Sequence, residues 1–125
     1  MSMANHTVTD NPDGTSTIAV HGRGSLAIDY KEQDDDGNQI DISGQQLFFE
    51  VDGPPIRIQL VADPSDPKGQ LIKLTRTLVE KLKKTPSNWT VIDETDMEDD
   101  MPVVTWNGTI SRTGYVGEPD TDGGN

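Results

Sequence analysis

The 125 residues contain no cysteine, which excludes disulfides, iron–sulfur ligation and thiol nucleophiles for the chain by itself. Aromatic residues make up 5%, too sparse for a repeated platform on which nucleobases stack. Positive charge is also scarce: 10 Lys and Arg stand against 22 Asp and Glu, giving a net charge of -12 and a pI near 4.2. Such a field repels phosphate backbones and anionic lipids, so neither nucleic acid nor a membrane surface is expected as a partner. No apolar run approaches the roughly 18–20 residues that span a bilayer. The opening "MSMANHTVTD" has no basic end followed by an apolar core, and so does not read as a secretory signal.

Recognisable catalytic signatures are missing too. Neither GxGxxG nor GxxxxGK[ST] occurs, and "GRG" at 22–24 is too short to cradle a phosphate. His6 and His21, the two histidines, form no HExxH and have no soft ligands nearby. No nucleophile elbow selects a serine. The chain is therefore not expected to be an enzyme or to carry a cofactor. Asn-x-Thr triplets at Asn5, Asn88 and Asn107 read as chance occurrences without an export signal.

The apolar residues, 31% of the chain, fall in short periodic runs separated by turn-rich segments, which predicts one folded domain. Residues 1–14, ending in "NPDG", are expected to be a flexible tail, 15–118 the domain, and 119–125 a second tail. "TSTIAVH" predicts a strand with Ile18 and Val20 on one face. In "SLAIDYKEQDDDGNQIDIS", Leu26, Ile28 and Tyr30 alternate with polar neighbours, as do Ile40 and Ile42, so 25–31 and 39–43 are expected to form a hairpin about "DDDGN". Two further strands are expected at 46–51 and 56–61, separated by Pro54 and Pro55, which cannot donate to a central ladder. Leu71, Leu74, Leu78 and Leu82, widened by Ile72 and Val79, then change the period to that of a helix near 69–84, with basic residues gathered toward its end. Strand-like runs return in "WTVID", "MPVVTWNGTIS" and "GYVGE". The "NG" at 107–108 fits an interruption within one strand and also a tight hairpin turn. The expected fold is mainly β with one helix, a β-sandwich or β-barrel-like domain.

The densest chemistry lies in "IDETDMEDDMP", which places six carboxylates within the eight positions 93–100. Calcium takes six to eight oxygen ligands, and Asp93, Asp96 and Asp99 are the candidates to supply them if they converge. Flanking strands make a solvated acidic connection the simpler expectation. "DDDGNQIDISGQ", laid on the twelve-position EF-hand pattern from Asp34, has Gln39 where glycine is needed and Gln45 where glutamate is needed. Its flanks alternate with strand period, so a turn is expected there instead.

The ordered pattern "SLAIDYKEQDDDGNQIDISGQQLFFEV", followed by "WNGTISRTGYVG", resembles small β-rich modules of tailed-phage baseplate and receptor-binding structural proteins. The resemblance covers about half the chain, in the alternating strand, the "DISG" stretch and the following apolar strand. It implies a structural or adaptor role in a virion, with structural proteins, or further copies of the chain, as partners. Without it, the location is cytoplasmic or unknown. Phe48, Phe49, Trp106 and Tyr115 are interface candidates because aromatic side chains anchor protein contacts, and Arg112 offers a planar hydrogen-bonding group. The competing expectation is a carbohydrate-binding module, with calcium giving the acidic loop a direct role.

Overall fold

The computed structural model describes residues 5–22, 24–96 and 101–113. Its strands are β1 (His6–Asp10), β2 (Ser16–His21), β3 (Leu26–Tyr30), β4 (Glu32–Gln33), β5 (Gln39–Ile40), β6 (Leu47–Asp52), β7 (Ile56–Gln59), β8 (Val61–Asp63), β9 (Asp66–Leu74), β10 (Ser87–Asp93) and β11 (Val103–Thr113). One short helix, α1 (Arg76–Val79), separates β9 from β10. A six-stranded sheet runs β1-β2-β11-β10-β6-β7, a three-stranded sheet runs β3-β9-β8, and β4 and β5 form a two-stranded ribbon. The sheets pack together without closing into a barrel, so the fold is sandwich-like.

Period-two alternation builds this arrangement. Ile18 and Val20 of β2, Leu47, Phe49 and Val51 of β6, and Trp89 and Val91 of β10 are buried between layers. Leu26, Ile28 and Tyr30 of β3 and Ile72 and Leu74 of β9 join them from the smaller sheet. At about 25 cal/mol per Å² of apolar surface, this shared core is the main stabilising contribution.

Three expectations are corrected and one open alternative is decided. The helix near 69–84 is mostly strand: β9 continues to Leu74, pairing Leu26 with Leu74 and Ile28 with Ile72, and only Arg76–Val79 is helical. Gln70, Ile72 and Leu74 are buried in alternation, a period-two signal hidden beneath the helix-spaced leucines. Thr75 begins α1 in extended conformation, and its hydroxyl accepts from the Leu78 N–H at 3.3 Å. Val79 and Leu82 are still buried, so the apolar stripe serves the core through a single turn and its continuation.

The hairpin of 25–31 with 39–43 is replaced by two pairings. β3 pairs with β9, and only Glu32–Gln33 pairs with Gln39–Ile40. Ile42 is wholly buried outside any strand, with its N–H bonded to the Lys68 carbonyl at 2.9 Å. The turn itself is present: Asp34 accepts from the N–H groups of Asp36 and Asn38, and Gly37 takes φ 84°.

Within the expected N-terminal tail, His6–Asp10 is instead an ordered strand paired antiparallel with β2. The "NPDG" turn joins the two, which makes the segment a hairpin rather than an appendage. The expected C-terminal tail at 119–125 lies outside the described residues.

Finally, "NG" at 107–108 lies inside one continuous strand. β11 runs antiparallel to β10 and parallel to β2, with Gly108 opposite Ser16. A Cβ at Gly108 would sit 2.7 Å from the Ser16 carbonyl carbon and overlap its oxygen. Close backbone approach, rather than a turn, is what requires glycine here.

Candidate functional site

β2 pairs with β11 only from Gly108 onward. Before β2 begins at Ser16, the first half of β11 runs near β1 and the β3–β4 connection, and a cleft of about 780 Å³ opens there. Val8, Asp10, Asp29, Tyr30, Glu32 and Trp106 are among its lining residues, with Lys31, Gln33 and Thr105. The register between β10 and β11 shifts between Val91 and Ile92, leaving Thr105 as an additional residue. This bulge lets consecutive residues, Thr105 and Trp106, line the same cleft.

The floor is aromatic and rigidly held. Tyr30 stacks on Trp106 with centroids 5.6 Å apart, and Trp106 meets Trp89 edge-on at 4.9 Å. Trp89 also packs against Phe49 and donates from Nε1 to the Thr109 carbonyl at 2.9 Å. Trp106 Nε1 donates to Ser16 Oγ at 2.8 Å, and that hydroxyl donates to Asp10 Oδ1 at 2.8 Å. Tyr30 donates to Glu32 Oε2 at 2.8 Å. Burial pushes the Tyr30 phenol up, a Thr105 hydrogen bond partly opposes this, and Glu32 and Asp93 push it further up. The phenol thus remains a protonated donor throughout the ordinary pH range.

The walls are anionic. Asp10, Asp29 and Glu32 face one cation, Lys31, whose ammonium lies 3.4 Å from Asp66. A groove with this lining favours a cationic occupant and repels an anionic one.

The interface candidates from the sequence separate from one another. Phe49 is fully buried. Phe48, on the opposite face, is half-buried beneath Arg57, whose guanidinium carbon is 4.0 Å from the ring centroid. Arg57 is anchored by Glu50 and by both carboxylate oxygens of Glu94 at 3.0 Å. Of the four candidates among the described residues, Trp106 alone lines the cleft. Arg112 is buried and donates from Nε to Leu82 O at 3.2 Å and from Nη2 to Glu80 O at 3.3 Å, holding the segment that follows α1. Tyr115 lies outside the described residues.

The calcium candidates can be placed only in part, since Asp99 is likewise outside them. Asp93 Oδ1 accepts from the Thr95 N–H at 2.9 Å and its hydroxyl at 2.5 Å, and Asp96 is exposed. Among the described residues no group of three or more His, Asp or Glu side chains is placed to hold a metal ion. The Asp93 arrangement recurs: Asp13, Asp34, Asp41, Asp63 and Asp66 each accept from the N–H two residues onward. Much of the chain's acidity therefore shapes turns.

No protein-family model matches the chain, and no curated protein matches it. Among solved structures, it is similar to the N-terminal domain of phage TP901-1 ORF48, with a TM-score of 0.50 and 11% identity, over 90% of this chain and 99% of that one. The likeness is one of fold. It covers 90% of this chain, more than the half of the sequence that carries the phage-module resemblance. Sequence reasoning located Trp106 but missed Asp10, Asp29, Tyr30 and Glu32 as its neighbours. The available signal was Tyr30 and Glu32, two apart at the end of an alternating strand. Nothing local joined them to Asp10.

Proposed function

We propose that the chain is a structural or adaptor domain that mediates protein–protein assembly in a phage virion, in a tail or baseplate. The observation that carries this reading is the near-complete mutual coverage with a phage protein domain. In this reading the chain performs no catalysis, needs no cofactor, and meets other structural proteins through its surface. The exposed apolar residues Met101, Val103 and Val104, beside the aromatic-floored cleft, supply contact area of the kind protein partners cover.

A carbohydrate-binding role draws on Trp106 beside carboxylates, but one side of that ring is stacked on Tyr30 and Trp89 packs edge-on to it. Light scattering with calcium and after chelation, together with glycan titration, separates the two roles. The assembly reading expects the same solution size in both conditions and no saturable glycan binding. A compact monomer that binds glycan saturably only with calcium would replace it.

A further inference from the structure

We infer that the cleft receives an extended basic segment of a different protein, added as a strand along the open edge of β11 at Val103–Asn107. The inference rests on the assembly reading and specifies the partner's chemistry. Its first support is the sheet itself: among the described residues, Val103, Val104, Trp106 and Asn107 pair on one side, with β10, Thr105 bulges between them, and pairing with β2 begins at Gly108. An open strand edge presents backbone donors and acceptors, and natural proteins protect such edges with lysine, proline or bulges. "VVTWN" has no lysine or proline and one bulge, at Thr105, and Val103 and Val104 are 62% and 57% exposed.

The second support is the cleft beside that edge. Thr105 and Trp106 belong to both, so a strand laid on β11 passes directly over the aromatic floor. Its alternate side chains would reach the walls formed by Asp10, Asp29 and Glu32. Three carboxylates with Lys31 drawn toward Asp66 complement Lys or Arg at those positions.

A second copy is a poor occupant. The net charge of -12 opposes self-association. The chain's own basic run at Lys81, Lys83 and Lys84 is also held in place: Leu82 O and Lys83 O accept from Arg112 Nε and the Arg112 backbone N–H. Extending that run as a strand would break both bonds around a buried guanidinium.

Amide NMR titration of the intact chain with a short alternating Arg–Thr peptide tests this, alongside the same peptide N-methylated at every residue and a Glu–Thr peptide. The N-methylated peptide keeps the charge but has no backbone N–H to donate to a ladder. The expected result is saturable shifts at the Trp106 indole N–H and the amides of Val103–Asn107 with Arg–Thr alone, and slowed hydrogen exchange at those amides. D29N/E32Q, checked for an unchanged spectrum elsewhere, weakens that binding about tenfold or more. Equal binding of both cationic peptides, or shifts spread over the Asp34–Asp36 and Asp41 turns, overturns strand addition. Silence toward every peptide while the chain still binds virion structural proteins sinks this inference alone. Peptide silence with saturable glycan binding at Trp106 sinks the assembly reading as well.

Discussion

Gly108 and Arg112 lie four residues apart on β11 and do different structural work. Gly108 permits the parallel approach of β2, so G108A should cost about 3 kcal/mol or more, because the overlap is with backbone that cannot rotate away. Gly44 has open space around it, and G44A should change stability by less than about 1 kcal/mol in the same urea titration. Similar midpoints for the two variants would contradict the packing described between β2 and β11. Arg112 satisfies carbonyls beyond α1, and R112M should lose about 2 kcal/mol as those acceptors remain without their charged donor.

The turn carboxylates give a pH dependence with a definite sign. The Gln39 amide, then the Lys68 N–H and Lys31, hold Asp66 below its ordinary 3.8, against a smaller opposing effect of burial. Thr15 does the same for Asp13, and Ser43 for Asp41. A depressed folded-state pKa contributes stability that is complete above the unfolded value and lost as pH falls through the folded one. D66N should therefore lose less stability than the parent between pH 5 and pH 2, followed by urea midpoints at each pH. Parallel losses would show that Asp66 takes no part in acid sensitivity.

At the scale of elements, α1 is a short helix set by its cap. T75A should cost about 1 kcal/mol, with hydrogen exchange accelerating at Leu78 and Val79 before the sheets respond. Strands with clean alternation were legible in the sequence: Ile18 with Val20, Leu26 with Ile28 and Tyr30, and Leu47 with Phe49 and Val51 all point inward. The segment 66–74 was not, because Leu71 and Leu74 continue into Leu78 and Leu82 at helical spacing. Pairing with β3 and β8 on either side decides its conformation, and that information is nonlocal. The same limit applies to β1, whose exposed, polar pattern resembles a tail until β2 pairs with it. The site was less legible than the fold. Phe48 and Phe49 were separable by alternation, but Arg112 sits where only three-dimensional packing reveals a buried carbonyl cluster. The cleft unites residues up to 98 positions apart, from Val8 to Trp106, as no sequence window can.

At the scale of the whole molecule, the proposed docking role draws on two layers with an open edge and on the net charge of -12. Among the described residues, carboxylates shape turns at Asp13, Asp34, Asp41, Asp63, Asp66 and Asp93 and line the walls of one cleft. Long-range attraction to a basic partner follows from that distribution, and it should weaken as salt shortens the Debye length to about 8 Å at physiological ionic strength. The proposed role makes the chain a component of an assembled particle. Density-gradient sedimentation of phage particles made by its source, probed with antibody against the folded chain, tests that role. The chain is expected to travel with intact particles and the antibody to decorate them. Recovery of the chain only as free protein, with undecorated particles, would contradict it.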